Sequence, residues 1–228
     1  MKIKQIKKTM NETFAKDVQD GLSSSPKYLS SKYFYDETGD HLFRQIMEMD
    51  EYYLTDCEFE ILDKDKENFL EICRCHDGSF NLIELGAGDG AKTKLLLKHF
   101  IDRQAHFTYI PVDISRNIID YLLGKLNQEI PKLKVNGIAR EYFEFLDEFS
   151  NEATKKMILF LGSNVGNFSE EHAVEFLKRI ADDMHSDDLL MVGFDLKKDQ
   201  LTILNAYNDK NGITAAFNLN LLNRINRE

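Results

Sequence analysis

Leu82-Ile83-Glu84-Leu85-Gly86-Ala87-Gly88-Asp89-Gly90 decides the fold of this 228-residue chain. An apolar run closes on an acid, breaks into three alternating glycines, and resumes as a helix at Ala91-Lys92-Thr93-Lys94-Leu95-Leu96-Leu97. The backbone must turn sharply out of a strand, pass close to a bound molecule, and enter a helix with no Cβ in the way. That is a nucleotide-type cradle at the carboxyl end of a strand, where open α/β sheets bind ligands. A second apolar run, Phe107 to Val112, ends on Asp113, placed to bond a ribose diol.

Two cofactor classes use such a cradle. Gly86, Gly88 and Ala91 satisfy the dinucleotide pattern G-x-G-x-x-G/A. Glu84, Gly86, Gly88 and Gly90 satisfy the pattern of S-adenosylmethionine (SAM) sites, an acid two residues before G-x-G-x-G. Asp113 lies well beyond the roughly 20 residues expected of the dinucleotide acid, which favours SAM over NAD. A tight strand–helix turn with no ligand stays open on the glycines alone.

Outward from the loop, strands are expected at Phe80–Leu85, Phe107–Val112, Leu133–Ile138, Met157–Leu161 and Leu189–Asp195. Their near-continuous apolar character suits parallel strands buried on both faces. Helices are clearest at Lys92–Phe100, Asn117–Leu126 and Glu170–Met184, the last with Ser169 as N-cap. The fold class is α/β, a doubly wound sheet of at least five strands. Upstream, Ile3 to about Val18 reads as helix, Gly21 to Pro26 as loop, and Asp40 to Met49 as an amphipathic helix. A long helix is expected from near Thr55 to Arg74, opened by a capping box at Thr55 and Glu58. Only helical sequence follows Leu189–Asp195, so that strand is left as a long apolar edge unless something covers it.

Composition narrows the function. The net charge of −10 opposes general binding to nucleic acid, which needs basic surface. No apolar run approaches the ~18 residues of a membrane span, and the Lys-rich start, Met1 to Lys8, has no apolar h-region. A soluble, cytoplasmic protein is expected. Cys57, Cys73 and Cys75 are too few for a disulfide scaffold, and Cys73-Arg74-Cys75 lacks zinc-knuckle spacing. The six histidines, among them His76, pair with no cysteine or carboxylate at ligand spacing, so no metal is expected.

The ordered set of motifs resembles one family, the SAM-dependent histidine Nα-methyltransferases of ergothioneine biosynthesis. The matches are Lys32-Tyr33-Phe34-Tyr35-Asp36, Glu51-Tyr52-Tyr53-Leu54-Thr55, the glycine loop with Lys92-Thr93, and Ile110-Pro111-Val112-Asp113. They continue through Phe160-Leu161-Gly162-Ser163-Asn164-Val165-Gly166-Asn167, Asp195-Leu196-Lys197-Lys198-Asp199, Ala206-Tyr207-Asn208-Asp209 and Gly212 to Asn218. The resemblance implies a class I methyltransferase, Rossmann-like sheet and SAM as cofactor. It implies SAM contacts at Gly86, Lys92 and Asp113, with Glu141-Tyr142 near the adenine where the family has Asp-Phe. It places Tyr52 in the histidine pocket, Tyr35 near the substrate amine, and Asn167 with Tyr207 on the amino-acid head group. Tyr35 and Tyr52 are thus the candidate catalytic residues, the side chains expected near enough to take the proton of the attacking amine unless a solvent route removes it. From composition alone, Tyr33, Phe34, Tyr35, Tyr52 and Tyr53 would serve equally as core aromatics.

Three regions follow: an N-terminal helical portion of the substrate domain over 1–78, the SAM-binding sheet domain over 79–200, and the start of a C-terminal substrate segment over 201–228. Family members run on by about a third of their length, supplying the last sheet strands and the imidazole-recognising side chains. The expectation is a chain cut short of these, from a protein monomeric at full length. An amino-acid Nα-methyltransferase acting on histidine, a SAM-binding but inactive fragment, a methyltransferase for another small amine and an NAD(P) oxidoreductase are the readings carried forward.

Overall fold

The computed structural model describes residues 2–74, 78–149 and 154–228. Cys75 and His76 lie outside them. Three helices, α1 (Lys2–Ser23), α2 (Glu37–Met47) and α3 (Leu54–Arg74), precede the sheet. The alternation then runs β1 (Phe80–Leu85), α4 (Thr93–Asp102), β2 (Phe107–Asp113), α5 (Arg116–Glu129), β3 (Lys134–Val135), β4 (Ile138–Ala139), α6 (Tyr142–Phe149), β5 (Lys156–Phe160), α7 (Glu170–Asp182) and β6 (Leu189–Val192). Helices α8 (Gln200–Ala206) and α9 (Ile213–Arg227) follow. All strand pairs are parallel, in the order β3-β2-β1-β5-β6, with β4 also beside β2. This is the class I methyltransferase, Rossmann-like sheet.

Period-two alternation sends each strand's side chains to two cores. Leu82, Tyr109, Met157 and Leu159 pack with Leu70 of α3, Phe100 of α4 and Leu126 of α5. Ile83, Ile110, Ile158 and Phe160 pack with Phe145 of α6 and Phe176 of α7. A third cluster joins Ile46 of α2, Tyr52, Leu54, Ala206 and Phe217 of α9. Asp36, the α2 N-cap, accepts from Gly39 N at 2.8 Å, Asn220 Nδ2 at 2.8 Å and Arg227 at 2.6 Å. One carboxylate therefore caps one helix and ties another to it.

Several boundaries differ from expectation. Helix α1 runs through Gly21 to Ser23 and ends where Gly21 O accepts from Ser24 N at 3.4 Å and Tyr28 N at 3.1 Å. Helix α2 starts at Glu37, not Asp40, since Asp36 caps it. Helix α3 starts at Leu54, with Cys57 N–H on Tyr53 O at 3.0 Å, so Thr55 lies inside the helix and no capping box opens it there. The strand expected over Leu133–Ile138 is two short pieces in one register on β2, parted opposite Pro111, which has no N–H to give the ladder. Strand β6 stops at Val192, at the end of the sheet path, and is only half-buried. Ser169 does cap α7, accepting from His172 N at 3.3 Å.

Candidate active site

Strand order reverses between β1 and β5, and a cavity of about 730 Å³ opens beside their carboxyl ends. Its sheet-side wall carries Glu84, Gly86, Gly88, Gly90, Lys92, Asp113, Glu141, Tyr142 and Asn167. Its helical wall carries Tyr35, Asp40, Phe43 and Tyr52. Eleven of the twelve residues picked out by sequence thus line one space. Tyr207 does not. It is half-exposed, meets Tyr52 edge-on at 5.8 Å and hydrogen-bonds to its hydroxyl, so it touches the site only through that ring.

Two glycines meet different demands. Gly86 has φ +76°, and a Cβ there would lie 2.6 Å from the Tyr142 hydroxyl and 2.8 Å from Asn164 Nδ2. Gly88 has φ +54°, and a Cβ there would meet nothing within 4 Å. Its N–H instead donates to Asp113 Oδ2 at 3.0 Å, while Ser115 N–H donates to Oδ1 at 3.0 Å. Burial raises the Asp113 carboxyl and these backbone donors pull it back. A carboxylate fixed between two turns faces the cavity.

Glu84 does more than line the cavity. It reaches the cavity wall, yet it is buried and accepts from the hydroxyls of both Thr93 and Tyr109. These contacts fix strand, turn and helix, which is a positioning role. Burial pushes its pKa up to about 7. The folded value lies above the ordinary 4.5, so its contribution to stability is complete below about pH 4.5 and is lost as pH rises through 7. The Glu84→Gln protein is therefore expected to lose that pH dependence, a difference on the order of a few kcal/mol between pH 4.5 and 7. Urea unfolding of both proteins at the two pH values measures it; parallel pH curves would argue against it.

Lys92 is a cation at a helix start, where the macrodipole opposes it. It stands at the N-cap of α4, and Glu58 of α3 neutralises it. The same carboxylate accepts from Gly162 N at 2.7 Å, so Glu58 ties α3, the glycine loop and the turn after β5 together. Sequence reasoning missed it because Thr55-x-x-Glu58 offered a local partner. Asn164 was also missed, although it lay inside the Gly162–Asn167 motif; it crosses from the β5 turn to Gly86. Glu141 accepts from Phe143 N at 3.0 Å at the start of α6. Burial raises the phenols of Tyr35, Tyr52 and Tyr142 well above the ordinary value.

The family described as histidine-specific, SAM-dependent methyltransferases matches residues 14–228. The chain is similar to the histidine N-alpha-methyltransferase of Mycolicibacterium smegmatis, 34% identical over 95% of this chain and 66% of that protein. It is similar to the protein of that name from Mycobacterium tuberculosis, 35% identical over 93% of this chain and 65% of that one. It therefore spans about two-thirds of the length of these relatives. Among solved structures, the DszA carbon methyltransferase shares the fold, with TM-score 0.50 and 17% identity over 72% of this chain and 39% of that one.

Proposed function

The chain belongs to the family of histidine-specific, SAM-dependent methyltransferases, and on that premise we propose that it moves a methyl group from SAM to the α-amino nitrogen of histidine. One observation carries the reading: a single cavity joins the glycine cradle and Asp113 to the aromatic wall of Tyr35, Phe43 and Tyr52. The residues present fit SAM. Gly88 leaves open space where any side chain would intrude, and Asp113 offers a fixed acceptor for a ribose diol. Gly86, Lys92 and Asp113 would hold the cofactor, with Glu141 and Tyr142 at its base. When bound, SAM supplies a methyl group on a sulfonium for in-line displacement.

The protein's part is then to bind and orient, and positioning of this kind supplies most of the acceleration in such a reaction. The attacking nitrogen must be neutral. Because burial raises the phenols of Tyr35 and Tyr52, both stay protonated at neutral pH. They act as hydrogen-bonding walls that aim the amine, not as phenolate bases. Asn167 and, through Tyr52, Tyr207 would grip the head group. The same reading has a small molecule as sole substrate, without nucleic acid, consistent with a net charge of −10. It also has a monomer working in the cytoplasm. Among the described residues no helix is long and apolar enough to cross a membrane.

Calorimetric titration with S-adenosylhomocysteine, then histidine added to the saturated complex, tests the proposal. Binding of both is expected. Cofactor binding without histidine would point to another amine or to a chain that binds SAM without acting on histidine. Nicotinamide dinucleotide binding in place of S-adenosylhomocysteine would overturn the reading.

A further inference from the structure

Asp40 takes no part in the chemistry described so far. It sits in the first turn of α2, only 8% exposed, and lines the cavity. Ser115, just past the end of β2, donates its hydroxyl to Asp40 Oδ2 at 2.6 Å. The carboxylate thus bridges the helical wall and the sheet wall beside Asp113. The groups whose charge reaches it are mostly acidic: Asp113 and Asp36 raise its pKa while Arg44, one turn on, lowers it. Its own charge reaches the Tyr35 phenol and raises it.

A carboxylate held in such surroundings is costly unless a cation or strong donor completes it. Asp113 already serves the turn at the ribose end, through Gly88 and Ser115. Asp40 meets the same Ser115 from the helical wall, on the helix that also lends Phe43, Arg44 and Met47 to the cavity. Resting on the methyltransferase reading above, we propose that Asp40 recognises the α-ammonium group of the arriving amino acid and so selects amine substrates. Burial, aided by Asp113, brings the Asp40 carboxyl up to about 6, so it is still largely ionised near neutrality and able to attract a cation. After docking the ammonium gives up its proton to solvent, so that a neutral amine attacks, while Asn167 keeps the carboxylate end of the head group.

The test compares Asp40→Asn with the natural protein, both saturated with S-adenosylhomocysteine. L-Histidine and its des-amino analogue, 3-(imidazol-4-yl)propionate, are titrated into each. The natural protein should favour histidine. Asp40→Asn should weaken histidine by about tenfold to a hundredfold, the worth of one charge-assisted hydrogen bond, and leave the analogue unchanged. Equal weakening of both ligands, or none, would overturn the role of Asp40 while the methyltransferase reading stands. Weakened S-adenosylhomocysteine binding with histidine preference intact would assign Asp40 to the cofactor and overturn it too. Failure of histidine to bind the natural complex would overturn the substrate reading first, and this inference with it. A role confined to folding would lower thermal stability without touching the preference for the amino group.

Discussion

Gly86→Val is expected to abolish S-adenosylhomocysteine binding and to destabilise the fold, whereas Gly88→Ala should lose affinity with a smaller loss of stability. The two positions are two residues apart and both have positive φ, +76° and +54°. They differ in what a side chain would meet. At Gly86 a Cβ would press on the Tyr142 hydroxyl at 2.6 Å and on Asn164 at 2.8 Å. A β-branched residue there adds left-handed strain of roughly 1–2 kcal/mol to an overpacking cost of about 1–3 kcal/mol. At Gly88 the strain is similar but the added methyl enters open space. Thermal unfolding read beside calorimetric titration separates the cases. Equal melting temperatures for the two variants would contradict this account of the loop.

Asp188→Ala should be the most damaging change far from the cavity, at about 3–5 kcal/mol, because it strips a buried cation of its partner. The Lys156 and Asp188 side chains are 3% and 1% exposed and lie 3.3 Å apart. Asp188 also accepts from Lys156 N at 2.6 Å and His185 N at 2.8 Å. Truncation would therefore leave two backbone donors without their acceptor and the ammonium with no counter-charge from Asp188, held by the neutral Asp183 carbonyl at 3.1 Å. Lys156 begins β5, at the end of the sheet opposite the cavity, so the folded fraction should bind S-adenosylhomocysteine normally. Urea denaturation measures the loss. Exchanging both partners together, Lys156→Met with Asp188→Leu, should recover much of it, since buried ion pairs give way to apolar pairs at small cost. A double variant as unstable as the single one would point to the backbone bonds as the main contribution.

The sheet was legible because its signals are local. Phe80–Leu85 appeared as expected, and the other parallel strands fell within a few residues of theirs, except the third and the last. Both lie at an end of the sheet path. Leu133–Ile138 breaks opposite Pro111, which has no N–H for the ladder, and β6 is paired along the path with β5 on one side. The capping box at Thr55 failed in another way. Its residues fit the pattern, but Glu58 gains a cation and a backbone N–H from distant segments, which outweigh a local bond.

What the sequence determined by itself was the cradle, its placement after a buried strand, and the acid at the end of the next strand. These follow from backbone freedom at glycine and from apolar periodicity, both properties of neighbouring residues. Only the tertiary structure decided which polar groups meet: Glu58 with Lys92, 34 residues apart, and Asp40 with Ser115, 75 apart. It also decided that Asn164 faces Gly86 and that Tyr207 stands behind Tyr52. Such pairings depend on how α2 and α3 settle over the carboxyl edge of the sheet, and no local pattern encodes the distance between side chains brought together by packing.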